Sequence, residues 1–258
     1  MLELQGLTKH FGGVKALNGL DLTVEEGGII GLIGPNGSGK STAINLICGV
    51  YGETAGTVHF RGVLMNGKPP HQRLRAGIAR TFQNIRLFPE LTVWQNLWVA
   101  QNSPQDISRQ RFLPRWFGTT RQARKEIADL LELADLAHKG DELASNLAFG
   151  EQRRLEFARA AAARPLLLLL DEPAAGMSRQ EIDDLGQRIR RLRDSGVTIL
   201  LVEHMMELVM GVTEQIAVLN FGHRIAFGTP GEVQSDRAVQ EAYLGTDATE
   251  SGPAGGSA

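Results

Sequence analysis

Residues 34–42 read Gly34-Pro35-Asn36-Gly37-Ser38-Gly39-Lys40-Ser41-Thr42. Glycines at this spacing let backbone N–H groups converge on phosphate oxygens with no Cβ in the way, and a helix opening there adds its positive end. Lys40 would reach the β- and γ-phosphates of a nucleoside triphosphate, and the Ser41 hydroxyl would ligate Mg²⁺. A second constellation, Asp171-Glu172, follows the five leucines 166–170. Acids at the end of a buried strand stand where open α/β sheets bind ligands. There Asp171 can hold Mg²⁺ through water, and Glu172 can orient or deprotonate an attacking water. The chemistry is the binding and hydrolysis of a nucleoside triphosphate.

Such groups need rigid elements to hold them. The apolar run 29–33 before the glycine loop reads as a strand, and the amphipathic stretch 43–48 after it as a helix. Residues 2–8 and 20–24 alternate as half-buried strands do, and 57–61 resemble them. Residues 84–150 change character: they are helix-rich, with Trp94, Trp98 and Trp116 and a polar middle at 102–124. An amphipathic helix is expected over 151–163, then a fully buried strand over the leucines. Ser178 with Glu181 three positions later makes a capping box, and the helix it opens carries Ile182, Leu185, Ile189 and Leu192 on one face. A second buried strand is expected at 197–202 and a strand pair around Gly222 at 215–227. Residues 246–258 are rich in Gly, Ser, Ala and Thr and are expected to form a disordered tail.

With 258 residues, 42% hydrophobic and 22% charged, the chain can bury one substantial α/β core with a subdomain. A net charge of −2 gives no field toward nucleic acid. Cys48 is the single cysteine, which excludes an intramolecular disulfide framework. Lys9 and His10 interrupt any secretion signal, and Arg164 and Pro165 break the most apolar window. A cytoplasmic protein is expected, with any membrane role exercised through a partner.

Three further segments are weak alone. Leu147-Ala148-Phe149-Gly150-Glu151-Gln152-Arg153-Arg154 lies about twenty residues before the acidic pair, Gln83 ends Thr81-Phe82-Gln83, and His204 ends Leu201-Val202-Glu203-His204. In this order, over about residues 2–245, the chain resembles the ATP-binding subunit of an ATP-binding-cassette (ABC) transporter. The resemblance implies an α/β P-loop NTPase (RecA-like) core, an antiparallel β subdomain and an inserted α-helical subdomain at about 84–150. It implies ATP and Mg²⁺ as ligands, with Gly34 to Thr42 as Walker A and the leucines with Asp171 and Glu172 as Walker B. Gln83 becomes the Q-loop residue touching Mg²⁺ and the water, and His204 the switch histidine at the γ-phosphate. Phe11, in Lys9-His10-Phe11-Gly12-Gly13, becomes the aromatic that stacks on adenine. Leu147, Ala148, Phe149, Gly150 and Glu151 form the signature, which closes on the nucleotide of a second, identical or different cassette.

Segments 77–83, 148–156, 172–177 and 241–245 look like branched-chain amino-acid importer ATPases, and the insert at about 99–125 matches one of their two paralogues. This implies an ATPase driving uptake of branched-chain or related amino acids. Its partners would be transmembrane permease subunits and, indirectly, a periplasmic solute-binding protein. It would lie peripherally on the cytoplasmic face of the inner membrane. Urea or amide importers and lipopolysaccharide exporters are the alternatives. Trp94 and Trp98 either cradle a permease helix or fill the core. Ala148, Ser178 and Met205 depart from the general pattern, where serine, aspartate and an acid are usual. Cassette ATPases of ribosomes or DNA usually carry two cassettes or a long coiled coil, and heptads are absent here. A non-catalytic assembly subunit is disfavoured by the presence of Lys40, Glu172 and His204, and a GTPase by the lack of Asn-Lys-x-Asp.

Overall fold

Leu2, Leu4 and Leu7 are buried along β1 (Leu2–Phe11), and Leu20, Leu22 and Val24 along β2 (Val14–Val24). The two strands pair antiparallel down to Phe11 opposite Val14. Both therefore run further than the alternating pattern indicates. The hairpin turn at Gly12-Gly13 recruits Lys9, His10 and Lys15 into the ladder through backbone bonds that need no apolar side chain. With β4 (Ala55–Phe60) and β5 (Val63–Leu64) they form an antiparallel sheet in the order β2-β1-β4-β5. A computed structural model describes residues 1–81, 85–101 and 121–250, the last seven by their backbone alone.

The described chain divides into two compact units, one of residues 1–67 and 201–258, the other of 68–200. Besides the antiparallel sheet, the first unit contains β3 (Ile29–Ile33), every residue of it buried, as the apolar run requires. It leads through the glycine loop into α1 (Lys40–Ile47), whose Ala43, Ile44, Leu46 and Ile47 are buried, with Cys48 just beyond. β3 pairs in parallel with β9 (Gln215–Asn220), which pairs antiparallel with β10 (His223–Gly228). Phe221 and Gly222 between them both take positive φ, 46° and 80°, the two-residue turn that suits a twisted hairpin.

The second unit places β6 (Ile78–Arg80) parallel to β7 (Leu167–Asp171), with β8 (Thr198–Val202) on the other side of β7; the chain passes back to the first unit within β8. All five residues of β7 are buried. α2 (Pro70–Ala76) precedes β6. α3 (Val93–Gln101), α4 (Arg121–Leu133) and α5 (Phe149–Ala162) enclose a core of Val93, Leu97, Ile127, Leu131, Leu147 and Leu155. Trp94 and Trp98 are half-buried against it, their rings stacked with centroids 6.3 Å apart. α6 (Arg179–Asp194) buries Ile182, Leu185, Ile189 and Leu192, the face expected of it. This unit extends beyond the expected insert at 84–150, because the strand carrying the acidic pair packs with it.

α7 (Met206–Val212), α8 (Pro230–Ser235) and α9 (Arg237–Glu250) complete the first unit. α9 crosses the boundary at 245 where a disordered tail was expected to begin. The Asp236 carboxylate accepts from the N–H groups of Ala238 and Val239, at 2.7 and 3.3 Å, and a helix so nucleated propagates cheaply into 246–250. Residues 251–258, the remainder of that tail, lie outside the described residues. Among the described residues no helix is long and apolar enough to cross a membrane.

Candidate functional site

The glycine loop is held from both sides. A Cβ on Gly34, at φ 148°, would lie 2.1 Å from the Leu219 carbonyl oxygen, and one on Gly39, at φ 109°, 2.6 Å from that of Ala16. Only glycine fits at either point, so the loop threads between β2 and the β9–β10 hairpin. Gly222 clamps it by donating to the Ser38 carbonyl at 3.0 Å while accepting from Asn18 at 2.9 Å. Gly39 is the N-cap of α1 and offers no side-chain acceptor. No cap side chain therefore competes with a ligand for the positive end of the helix. The Lys40 side chain bends over the loop, its ammonium donating to the carbonyls of Gly34 at 2.7 Å and Pro35 at 2.9 Å. Ser38 is only 2% exposed, and its hydroxyl oxygen has no hydrogen-bond partner among the described residues. A buried hydroxyl without a partner costs about 1–3 kcal/mol, which a phosphate oxygen would relieve. Burial pushes the Tyr243 phenol on α9 up, offset in part by the Gly34 backbone beside it.

Phe11 ends β1 at the hairpin turn and is 43% exposed. The edge of Tyr51 meets it, with centroids 5.3 Å apart, and the Lys9 ammonium lies 5.1 Å from its ring centre. An aromatic face so fixed can stack on a base. Tyr51 was not singled out from sequence, because its pairing with Phe11 spans forty residues and leaves no local pattern.

In the second unit Asp171 closes β7 with its side chain only 8% exposed. Its carboxylate pairs with the Arg80 guanidinium at 3.2 Å, and its N–H donates to the Thr81 hydroxyl at 3.2 Å. Arg80 is a residue that sequence reasoning missed. Glu172, next along, is half-buried at φ 48°, a left-handed conformation that costs a non-glycine residue free energy. The tight turn it makes ends the strand. Gln83, expected at the metal and the water, lies outside the described residues, as does Trp116.

The signature segment opens α5. Leu147, the first residue of the expected signature, packs its side chain into the core of the helical elements and is 5% exposed. Ala148 is the N-cap and has no side-chain oxygen, so only the return bond of a capping box forms, from its N–H to Glu151 at 3.0 Å. Burial pushes the Glu151 carboxyl up. The Lys139 hydrogen bond and the Ala148 N–H outweigh that and hold it below its ordinary value. Phe149 is exposed, with the Arg153 guanidinium 5.3 Å from its ring centre. Gly150 has Glu181 so close that a Cβ would lie 2.5 Å from its carboxylate.

His204 follows β8 and is half in solvent, its side chain 54% exposed. The adjoining Glu203 is fully buried and accepts from the N–H groups of His204 and Met205. The structure thus places Phe11, the glycine loop and His204 in the first unit, and Asp171, Glu172 and the signature segment in the second. The exposed Ser41 hydroxyl in the first unit and the Asp171 carboxylate in the second are each hard oxygen donors of the kind Mg²⁺ takes. No group of three or more His, Cys, Asp or Glu side chains that could hold a metal by themselves occurs among the described residues.

Residues 17–175 match the ABC transporter family, and residues 223–249 match the family described as branched-chain amino acid ATP-binding cassette transporter. The chain is 43% identical over 249 residues to the high-affinity branched-chain amino acid transport ATP-binding protein BraF of Pseudomonas aeruginosa, covering 95% of this chain and 98% of that one. It is 42% identical over 251 residues to the corresponding protein LivG of Escherichia coli, with the same coverage. The ADP conformation of MJ1267, an ATP-binding cassette of an ABC transporter, superimposes with a TM-score of 0.82 at 32% identity, over 95% of this chain and 98% of that one. Matched by the family over residues 17–175 and by these relatives over nearly its whole length, the chain belongs to the ABC transporter family.

Proposed function

We propose that this chain is the ATP-hydrolysing subunit of an importer, driving uptake of branched-chain amino acids through partner permease subunits. The observation that carries the ATP-binding reading is the clamped glycine loop, with the buried Lys40 ammonium and the unsatisfied Ser38 hydroxyl at a helix N-terminus. The amino-acid reading rests on likeness to BraF and LivG, and on the match at 223–249. With no membrane-crossing helix among the described residues, attachment to the cytoplasmic face of the membrane falls to the permease partners.

In this reading the backbone N–H groups of the loop and the Lys40 ammonium hold the triphosphate, and Phe11 stacks on the adenine. Phosphoryl transfer to water needs alignment and charge stabilisation more than covalent help. Glu172, at the turn that ends β7, orients the attacking water and accepts its proton. His204 contacts the γ-phosphate. Ser41, Asp171 and Gln83 would hold Mg²⁺, which would supply charge neutralisation at the phosphates, and Gln83 would also meet the attacking water. Arg80 keeps the Asp171 carboxylate in place. A second cassette closes head-to-tail, presenting its own residues 148–151 to the γ-phosphate, and hydrolysis removes the bridge that holds the pair shut.

Glu172→Gln tests the catalytic assignment. It should leave ATP binding intact and lower turnover of the assembled transporter about 10²–10⁴-fold, the range for loss of a general base. Near-normal turnover would remove Glu172 from the role. Uptake of radiolabelled leucine into proteoliposomes containing the co-purified permeases tests the solute; uptake absent for leucine, isoleucine and valine would exclude it.

A further inference from the structure

Glu203 is a carboxylate with 0% exposure, immediately before an exposed histidine. One of its oxygens accepts from two successive backbone N–H groups, His204 at 2.9 Å and Met205 at 3.2 Å, and lies 3.7 Å from the His204 Nδ1. Two consecutive N–H groups converging on one oxygen form a small anion nest, and charge-assisted bonds of this kind are strong in a buried setting. The segment needs such an acceptor. α7 starts at Met206, and its N-cap, Met205, has a thioether where a cap oxygen would ordinarily sit, with no side-chain bond to the helix. The two residues that lead into α7 are therefore held by the carboxylate of Glu203 through their own N–H groups.

We propose that Glu203 is a positioning residue for His204: its buried carboxylate pins the backbone from which the imidazole projects. The proposal rests on the reading of His204 as the residue at the γ-phosphate. Pinning at two consecutive N–H groups leaves the His204 Cα little freedom, so the ring can reach out while its root stays fixed. A root displaced by about 1 Å is enough to cost a rate of order 10²-fold.

Glu203→Met keeps the volume and removes the acceptor; Glu203→Gln keeps an acceptor oxygen and removes the charge. In the assembled transporter, Glu203→Met should lower kcat about 10- to 100-fold. The dissociation constant for ATP should change less than about twofold, because the glycine loop is untouched. Glu203→Gln should recover most of the turnover. Placed on His204→Ala, Glu203→Met should add less than about a twofold loss, since two residues acting as one unit are not additive. The backbone ¹H–¹⁵N signals of His204 and Met205, whose N–H groups both donate to Glu203, should shift and broaden in Glu203→Met relative to the parent. Should Glu203→Met not fold, Glu203→Asp replaces it with the same expectations, because its carboxylate is drawn back by one methylene and cannot reach both N–H groups.

An undiminished kcat in Glu203→Met would overturn the proposal. So would an equal loss on the His204→Ala background, which would mean that Glu203 acts elsewhere. A parallel loss of ATP affinity would overturn it too, by making the effect one on the whole site. If His204→Ala itself hydrolyses ATP normally, the reading of His204 fails and takes the proposal with it. If His204→Ala is impaired while Glu203→Met is not, only the positioning role fails.

Discussion

Lys40 and Phe11 hold opposite ends of one ligand in the proposed function, and their surroundings give them separable tasks. Lys40 is 5% exposed and its ammonium is committed to the loop carbonyls, so its charge acts where phosphates would lie. Phe11 offers an open ring steadied by Tyr51 and Lys9. Lys40→Ala should therefore weaken ATP binding strongly and adenosine binding hardly at all. Phe11→Ala should weaken ATP, ADP and adenosine alike, by the roughly 1–3 kcal/mol of a lost stacking face. Calorimetric titration of the three ligands separates the two, and equal adenosine losses in both variants would contradict the division. Lys40 and its loop were legible in the sequence because the constraints on a phosphate loop are local: each glycine is demanded by backbone within a short motif or by a neighbouring carbonyl. Phe11 was legible only through the resemblance to a family, because an aromatic at the end of a strand carries no pattern of its own. Arg80 was not legible, since its partner Asp171 lies 91 positions away and a lone arginine carries no pattern. Glu203 was visible as a letter, but its task depends on being completely buried, which no spacing reveals.

Among the elements, α6 shows how a short cap controls the orientation of a functional segment. The Ser178 N–H and hydroxyl both donate to the Glu181 carboxylate, at 2.8 and 2.7 Å, and the Glu181 N–H returns to the hydroxyl at 3.5 Å. The Ser178 N–H first, and its hydroxyl second, hold the Glu181 carboxyl below its ordinary value of 4.5, against a smaller opposing effect of burial. A carboxyl lowered in the folded chain adds stability above its unfolded pKa and loses it as pH falls through the folded value. Glu181→Gln should therefore unfold at a lower temperature than the parent at pH 7, and the gap should close as pH falls below about 4.5. Thermal unfolding followed across that range measures this; a gap independent of pH would mean that the charge of Glu181 is not what matters. Ser178→Ala should remove only the smaller, hydroxyl-borne share of that pH dependence, because the Ser178 N–H stays in place as the first donor to the carboxylate. The capping box, the buried face of α6 and the leucine strand were legible because each is a periodic or short-range signal. The ends of β1 and β2 and the extension of α9 were not. Pairing across the Gly12-Gly13 turn and capping by Asp236 override what the side-chain pattern alone indicates.

For the whole molecule, the decisive event in the proposed function is the closing of two cassettes around ATP, and Ala148 is the residue of this chain that bears on it most directly. A net charge of −2 gives two copies no electrostatic reason to associate, so the donors that each offers to the other's triphosphate set the closure. The partner and the solute were legible only through resemblance, because neither leaves a periodicity or a short motif in this chain. The cost of Ala148 needs the structure as well. Ala148 is the N-cap of α5, and without a hydroxyl both its own helix and the opposing nucleotide lack a partner. A serine hydroxyl has one donor and two acceptor sites. In Ala148→Ser it can accept from the N-terminal N–H groups of α5 and still donate outward to a phosphate. The first effect belongs to the monomer and should raise unfolding stability by about 0.5–2 kcal/mol, the range for restoring an N-cap. The second requires two copies and should favour ATP-dependent dimers in the slow-turnover Glu172→Gln background. Denaturant unfolding of the nucleotide-free chain reads the first, and light scattering at graded ATP with Mg²⁺ withheld reads the second. If stability rises and dimers do not, the hydroxyl serves only its own helix and the backbone N–H groups of 149–151 govern closure. If dimers rise without a gain in stability, the hydroxyl points outward and α5 is capped well enough by Glu151 alone. Failure of both would show that neither the helix end nor the opposing phosphate is short of a donor or acceptor at residue 148, and that the substitution of alanine for serine is neutral in this chain.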